Sequence, residues 1–515
     1  MLTEQSHLLE STAFSAAMVP ASSLGNQGRG DLGISAMASP ARDNPRVAPQ
    51  CPGCRERDLR ITQLEQQLVA LRAENQKLSE RLRRNSSNSS MPPSSNPPDA
   101  PKFPKKKPSG RKRGAQPGHP PQPRSLVPAE QVDEVVPLVP ACCEDCQAPL
   151  PAEPGADDPP PHRHQIIDLP PKLILVTEYQ GQARTCECGH VTWATIPADI
   201  RAHGIGPRLA AAASYLTGCQ QVSKRGVSEI ITTIFGAPIA LGTVSNLERE
   251  MTAALKAPHA EAARAVRQAA VKHVDETGWK LAGKLCWLWT AATRFVALFV
   301  ICPGRGLADF VQLMGGKFLG IFTSDRWSAY RRLALACRQI CWAHLRRDFQ
   351  KCIDRGSKGS RAFGEAALDL ADRMFHLWHT FRGGGITRRT LQRRAKPLIH
   401  ELHDLLETGR ACAKEDKLVT FCDNLLQIEP ALWTFLFEEG VEPTNNHAER
   451  VLRKGVLWRK RAFGCQSDNG CRFVERILTV TQTLRLQQRN IFDYLHQALV
   501  AHRTGQPAPK LVKKR

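Results

Sequence analysis

Two acidic residues end two separate apolar runs of the sequence. Asp275 closes the β-branched run in AVKHVDETG, and Asp325 closes the run in GIFTSDRW. Where two such strand ends lie side by side, the carboxylates repel each other and a divalent cation relieves the repulsion. Hard oxygen ligands suit Mg²⁺ or Mn²⁺. Two such ions about 4 Å apart can activate a water or a 3′-hydroxyl for phosphodiester displacement, so the pattern predicts two-ion phosphodiester chemistry.

A third carboxylate normally completes such a site, and Glu449 is the candidate. It enters a predicted helix in EPTNNHAERVLRKGVLWRKR, where Arg450, Arg453 and Lys454 are the first of several cations that follow it. Cations beside a metal ligand suit a surface that contacts DNA phosphates. The alternative is an ordinary helix salt bridge between Glu449 and Arg453 at i+4, and spacing alone leaves both open.

A second kind of metal site is indicated by cysteines. The predicted ligands of a structural Zn²⁺ are Cys143, Cys146, Cys186 and Cys188. Four thiolates would close a tetrahedral site and stabilise a module too small to hold itself by burial. The second pair is one residue short of C-x-x-C, so Cys142 or His190 could replace a ligand, and reduced, unliganded thiols are the alternative. A further pair, Cys51 and Cys54, either binds zinc across a dimer or is a chance pair.

The carboxylates need a sheet to bring them together. LCWLWTAAT and RFVALFVIC follow the first strand at hairpin spacing, a helix is predicted near Leu307 to Met314, and RQICWAHL is predicted to be a fifth strand. Three consecutive strands, a helix and a further strand describe half of a ribonuclease H-like sheet. The first and fourth strands of that sheet lie side by side, which places Asp275 and Asp325 together.

The rest of the chain predicts a multidomain α+β protein with a coiled coil and a basic linker before the zinc module. A heptad repeat puts Ile61, Leu68, Asn75 and Leu82 at a, and leucines at d, which favours a zipper over a lone amphipathic helix. Gln221 to Leu247 is a weak candidate for a helix-turn-helix. The predicted divisions are 1–50, a disordered leader; 51–84, the coiled coil; 85–128, a disordered basic linker; 129–200, the zinc module; 201–265, a helical DNA-binding or connecting region; 266–352 and 441–497, the two parts of the catalytic core; 353–440, a helical insertion; and 498–515, a basic tail.

Charge indicates the partner. The chain has 71 Lys and Arg against 49 Asp and Glu, an excess of +22, and most of it lies in residues 102–124, 450–461 and 510–515. Such patches suit DNA phosphates, and the first, in an extended segment, could lie in a narrow minor groove, although a solvated linker or a nuclear-type address is the alternative. The residues predicted to bind DNA are Lys105, Lys106, Lys107, Arg111, Lys112, Arg113, Arg450, Arg453 and Lys454. No apolar run is long enough for a membrane span and no signal peptide is evident, so a cytoplasmic, nucleoid-associated protein is expected.

Several ordered stretches resemble a known family. They are NSSNSSMPPSS, GRKRGAQPGH, HRHQIIDLPP, VDETGWK, TSDRWSAY, CWAHLRRDF, VEPTNNHAERVLRK and RFVERILTV. Together they resemble the insertion sequence 66 family of bacterial transposases, of the DDE class. The resemblance implies that Asp275, Asp325 and Glu449 form the catalytic triad, that residues 353–440 are the helical insertion, and that the cysteines form the zinc-binding domain. The Cys186-Glu-Cys188 spacing departs from the family pattern, and His344 belongs to a family motif without a settled role.

The expected function is therefore that of a transposase. It would bind the terminal inverted repeats of its own element as a homodimer or higher oligomer, cleave the 3′ ends with metal-activated water and join them to target DNA. Two small accessory proteins accompany families of this kind. The alternative is a catalytically decayed DNA-binding regulator. A zinc hydrolase using the cysteines is disfavoured because four thiolates leave no open position for water.

Overall fold

The computed structural model describes residues 52–83 and 126–513, except residues 154, 156–157, 171, 356 and 413–415. The predicted leader and nearly all of the basic linker, including its six DNA-binding candidates from Lys105 to Arg113, lie outside the described residues. The predicted Cys51–Cys54 metal site also lies partly outside them, because Cys51 is not described.

The predicted zipper is one long helix, α1, from Pro52 to Arg83. The heptad isoleucine and leucines whose side chains are described are exposed: Ile61, Leu64, Leu68, Leu71 and Leu78. A helix of this length with an uncovered apolar stripe is what the heptad pattern predicts. Pairing with a second copy stays a prediction.

The cysteine-bearing module has little regular structure. Its two short strands, β1 (Ala183–Thr185) and β2 (Val191–Trp193), form an antiparallel hairpin. Gly189 lies in the turn with φ +84°, a left-handed conformation that glycine adopts without strain.

Five helices of the described chain follow the module. They are α2 (Ala198–Arg201), α3 (Pro207–Gly218), α4 (Lys224–Thr233), α5 (Leu241–Ala254) and α6 (Lys256–Gln268). Pro207 begins α3 at the first helical position, as the sequence suggests. The buried faces of α3 to α6 share one hydrophobic cluster with the central sheet. The predicted 201–265 region is therefore part of the body that holds the sheet.

The central sheet has five strands. They are β3 (Val271–Leu281), β4 (Lys284–Ala292), β5 (Ala297–Cys302), β6 (Ile321–Ser324) and β7 (Arg338–Ile340), with the predicted helix α7 (Leu307–Met314) between β5 and β6. The order is β5-β4-β3-β6-β7. β3 pairs antiparallel with β4 and parallel with β6, so the expectation that the first and fourth strands are neighbours is confirmed.

Two strand boundaries differ from the sequence prediction. β3 does not end at Asp275 but continues to Leu281, because beyond Asp275 it still pairs with β4 in a long hairpin. RQICWAHL is only partly a strand: β7 stops at Ile340, and α8 (Trp342–Asp354) begins one residue after Cys341. The period of WAHLRRDF is helical, with Trp342, Leu345 and Phe349 on one buried face.

The free edge of β5 is covered by a helix, α14 (Asp468–Leu486). The backbone N–H groups of Ala297, Phe299 and Ile301 donate to side-chain oxygens of α14 at 3.0, 2.9 and 2.7 Å. The acceptors are Thr483, Thr479 and Glu475. Their spacing of four residues puts these acceptors on one helix face. The helix therefore accepts hydrogen bonds from edge-strand amides that have no neighbouring strand.

The insertion is helical, as predicted. It contains α9 (Lys358–Arg382), α10 (Arg388–Cys412), α11 (Asp416–Leu426) and α12 (Thr434–Phe437). These helices and α8 enclose their own hydrophobic cluster, which includes Trp342, Phe349 and Trp433. The insertion thus continues directly from the helix that follows β7.

Two more helices complete the body, α13 (Asn446–Ala462) and α15 (Ile491–Arg503). A Cβ placed on Gly455 of α13 would lie 2.4 Å from Leu288 Cδ2, so the glycine lets α13 lie close to the sheet. The predicted tail boundary at residue 498 is wrong, because α15 extends to Arg503 and buries Ala498 and Leu499. Beyond it, Leu511 is fully buried and its amide donates to Glu261.

Candidate active site and nucleic-acid interface

Asp275 and Asp325 are aligned by the register of the sheet. The last parallel pair between β3 and β6 joins His273 to Thr323, and both aspartates lie two residues beyond it. Asp275 lies within β3 and Asp325 directly follows the end of β6, so the register brings the two residues to the same end of two paired strands. Burial raises the pKa of Asp275 well above its ordinary value, and the negative charges of Glu276, Asp325 and Glu449 raise it further. The charges of the other two predicted catalytic carboxylates therefore act on Asp275.

Glu449, the third predicted catalytic carboxylate, lies in the first turn of α13. The loop before α13 is tied to the sheet by Asn445, which is buried and whose Nδ2 donates to the Val274 carbonyl at 2.7 Å. The Asn445 backbone N–H also donates to Cys341 Sγ at 3.1 Å. Val274 precedes Asp275 directly, so a single side chain fixes the start of α13 relative to the strand that carries the first carboxylate.

The acid is not paired within its own helix. Glu449 and Arg453 are both described, and they do not form the salt bridge that was the predicted alternative. Glu449 Oε1 instead lies 3.8 Å from His344 Nδ1. Both atoms are buried and without a hydrogen-bond partner.

Cys341, His344 and Glu449 form a compact group that the sequence did not single out. Their ligand atoms lie within 4.8 Å of one another, and within residues 52–83 and 126–513 as described no other trio of such residues does so, the predicted triad included. Burial raises the pKa of Cys341 to about 11 and lowers that of His344. A neutral thiol that already accepts the Asn445 amide suits a structural role, whereas His344 offers a free nitrogen beside Glu449. The CxxH spacing was the available signal.

Behind the carboxylates lies a second network, also missed from the sequence. The Glu276 side chain is 1% exposed, accepts from Arg305 Nε at 2.6 Å and from the Tyr330 hydroxyl at 2.5 Å. Arg305 stacks on the rings of Trp327 and Trp287, 3.9 and 4.9 Å from their centroids. Its Nη2 also lies 3.7 Å from Asp325 Oδ2. One guanidinium thus neutralises the additional acid and contacts the second predicted ligand.

Comparison with known proteins assigns the family. The model for the transposase IS66 family matches residues 204–472, more than half of the 515 residues. The chain belongs to the IS66 transposase family. The match includes Asp275, Asp325 and Glu449. A family of unknown function (DUF6444) matches residues 43–125, which contain α1 and the basic linker.

Two relatives come from Sinorhizobium fredii. The uncharacterized protein y4qI is 29% identical over 225 residues, 40% of this chain and 40% of its own length. The uncharacterized protein y4hP is 27% identical over 186 residues, 32% of this chain and 34% of its own length. The matched regions therefore span well under half of these curated relatives.

The predicted zinc ligands lie between the two ranges matched by family models. Hydrogen bonds from the backbone amides of Cys146 and Asp145 lower the pKa of Cys143, and that of Cys188 lowers the pKa of Cys186. Both pairs thus form turns that stabilise a thiolate. All four thiols are free, and no three of them approach within 4.8 Å in the described module. A single site holding all four stays a prediction.

The basic face of α13 divides into two groups. Arg450 and Arg453 are exposed next to Glu449, while Lys454 is half-buried and burial lowers its pKa. Arg459 is used inside the fold, where it donates to the Gly278 carbonyl at 2.8 Å and to Thr277 at 3.0 Å. Lys460 and Arg461 at the end of α13 are exposed as well, so cations available to an external anion lie at both ends of the helix, and Arg450 and Arg453 are the ones next to Glu449. No helix that the structure describes is long and apolar enough to cross a membrane.

Proposed function

We propose that this IS66 family member is an active DDE transposase whose Asp275, Asp325 and Glu449 hold divalent cations at a DNA cleavage site. The observation that carries the proposal is the register of β3 and β6, which brings Asp275 and Asp325 to one end of two paired strands. Burial first, then the charge of Glu276, and then those of Asp325 and Glu449 raise the pKa of Asp275. Acids whose charges act on one another without a matching set of cations are poor stabilisers of a fold. Their repulsion is relieved when a divalent cation binds between them.

The architecture supports the same proposal. A sheet with its third, second, first, fourth and fifth strands in that spatial order, with the first three antiparallel, is the layout of a ribonuclease H-like core. Two acids at adjacent strands and a third from a later helix fit that layout. The helical insertion between Asp325 and Glu449 fits the DDE class to which the sequence resemblance points.

The residues fit Mg²⁺ or Mn²⁺. Asp275, Asp325 and Glu449 would supply the oxygen ligands that these hard cations prefer. Two bound ions would activate the attacking hydroxyl and stabilise the leaving oxygen of the phosphodiester. Arg305 offsets the charge of Glu276 and keeps that acid from competing for cations. His344 contributes a neutral nitrogen facing Glu449, and it is suited to orient that carboxylate.

DNA would approach along the first turns of α13. Arg450 and Arg453 lie next to Glu449 and are exposed, so a phosphate bound to them is adjacent to the carboxylates. We further propose that the basic linker contacts the inverted repeats, that α1 pairs two copies, and that the cysteines bind structural Zn²⁺. Strand transfer into target DNA, an oligomeric assembly and two accessory proteins belong to the same proposal.

Cleavage of DNA that carries the ends of the element tests this function. The full chain should cut the 3′ ends in Mg²⁺ or Mn²⁺ and not in their absence, and the Asp275→Asn, Asp325→Asn and Glu449→Gln proteins should each lose at least ~100-fold in rate. Glu401→Gln is the matched control, because this exposed acid pairs with Arg373 on the insertion. End binding without any cleavage would identify a DNA-binding regulator and overturn the catalytic proposal.

A further inference from the structure

A cleft opens directly beside the proposed cleavage site. It has a volume of about 460 Å³ and lies between α8, α9 and residues 442–450. Ala343 of its wall precedes His344, and Arg450 of its wall follows Glu449. Both wall residues are chain neighbours of side chains in the candidate site, so the cleft borders the segments that carry His344 and Glu449.

The walls combine cations with aromatic rings. The side chains that matter are Arg346, Arg382, Arg450, Phe375, His379 and Glu442. Phe375 and His379 are stacked, with ring centroids 6.3 Å apart and planes 26° from parallel. The Arg346 guanidinium lies 5.8 Å from the centroid of Phe375. A partly exposed aromatic stack beside guanidinium groups is a surface on which a nucleobase can stack while its phosphate is bound.

The cations of the cleft are held by replaceable partners. Arg382 pairs with Glu442, and Arg346 pairs with Asp372, in contacts that are largely exposed. Arg450 is exposed, and its Nε donates only to the Asn446 carbonyl of its own helix at 3.3 Å. Exposed ion pairs contribute little to stability, whereas a phosphate accepts two parallel bonds from one guanidinium. An incoming phosphate can therefore displace these acids.

The dimensions favour a single-stranded ligand. A volume of 460 Å³ falls in the range of small-ligand pockets, roughly 300–1,000 Å³, and is far too small for a duplex. We propose that this cleft binds one or two unpaired nucleotides of the DNA strand next to the cleavage position, with a base on the Phe375–His379 stack and a phosphate on Arg382 and Arg450. This inference rests on the proposed function, since it assigns a DNA strand to the side of that same site. Separating the strands there would hold the scissile phosphate at the carboxylates.

Binding measured without cleavage tests the cleft separately. The full-length Asp275→Asn protein would be titrated, without divalent ions, against a short duplex that is blunt or carries an oligothymidine overhang at its 3′ or 5′ end. One base stacked on an aromatic side chain is sufficient for about a tenfold preference. We expect one overhang duplex to bind about tenfold more tightly than the blunt duplex.

Substitutions then locate the preference. His379→Ala and Arg382→Ala should each reduce it to less than threefold while changing the blunt-duplex affinity by less than twofold. Phe375→Leu keeps an apolar side chain against the insertion core and should have the same effect. Arg373→Ala is the control, because Arg373 lies on the same helix, pairs with Asp369 and Glu401, and does not line the cleft.

The outcomes separate this inference from the proposed function. Equal affinities of blunt and overhang duplexes, or a preference that survives the His379→Ala/Arg382→Ala double substitution, overturn the assignment of the cleft even where the wild-type protein cleaves DNA. A preference that disappears with the cleft substitutions supports the assignment even where no cleavage is found. Fluorescence of 2-aminopurine in the overhang provides a second readout, since stacking on the cleft rings quenches it in the Asp275→Asn protein and less in its His379→Ala derivative.

Discussion

Removal of Arg305 should leave the buried carboxylate of Glu276 without its cationic partner. Glu276 is 1% exposed and Arg305 is 26% exposed, so Arg305→Ala breaks a largely buried pair while Tyr330 remains as a hydrogen-bond donor. Breaking such a pair costs about 3–5 kcal/mol, and the lower end applies because Arg305 is partly hydrated. Loss of stacking on two tryptophan rings adds about 1 kcal/mol. We expect a loss of about 4 kcal/mol.

The acid itself should account for most of that loss. Glu276→Gln keeps an acceptor for Tyr330 and should cost about 1–2 kcal/mol. The Arg305→Ala/Glu276→Gln protein has no unpaired buried carboxylate. Its loss in free energy of unfolding should therefore be roughly 2–3 kcal/mol, well below the sum of the single losses. Urea unfolding followed by tryptophan fluorescence measures all three. Arg373→Ala, which breaks only exposed pairs, should stay within about 1 kcal/mol of wild type.

An additive cycle would refute this account of the network. If the double substitution costs as much as the two single losses together, within about 0.5 kcal/mol, Arg305 does not stabilise the fold by neutralising Glu276. A loss below about 1 kcal/mol for Arg305→Ala would contradict it equally, because that value belongs to exposed pairs.

Three further substitutions test the packing. Thr479→Val removes the acceptor of a buried β5 amide and should cost about 1–3 kcal/mol in urea unfolding, whereas an unchanged midpoint would show that α14 does not cover this edge. Gly455→Ala would place a methyl 2.4 Å from Leu288 Cδ2 and should lower the thermal midpoint, whereas a higher midpoint would contradict the close approach of α13. Burial raises the pKa of Glu250, but hydrogen bonds and charge from Arg503 outweigh it, so the net pKa lies below the ordinary 4.5. The contribution of the Glu250–Arg503 pair is therefore present above pH 4.5 and is lost as pH falls through the folded pKa of Glu250. Arg503→Ala should destabilise more at neutral pH than in acid below that folded pKa, and equal losses across the whole range would contradict the pair.

Much of the core could be predicted from local pattern. The neighbouring positions of β3 and β6, which bring Asp275 and Asp325 to one end of the sheet, and the helix at Leu307 to Met314 follow from apolar runs and hairpin spacing. The strand boundaries could not, because pairing partners rather than propensity decide that β3 continues past Asp275. The RQICWAHL segment was ambiguous for a different reason, because short apolar runs occur in strands and in buried helices alike.

The candidate site was predictable only for its acids. Glu276, Arg305 and Tyr330 come from three separate segments, and only the folded chain brings them into one network. Likewise, the cleft beside Glu449 joins α9 of the insertion to the loop before α13, residues far apart in sequence. Spacing detects ligands on one element, but long-range contacts depend on tertiary packing.

Binding of Mn²⁺ to the carboxylates is the most direct test of the central claim. Electron paramagnetic resonance of the full chain with DNA ends should detect bound Mn²⁺ in the wild-type protein and in Glu401→Gln. Asp275→Asn, Asp325→Asn and Glu449→Gln should each weaken that binding at least ~10-fold, because each removes an oxygen ligand of a hard cation. Mn²⁺ binding that is unchanged in any of the three would contradict the assignment of these residues to one metal site.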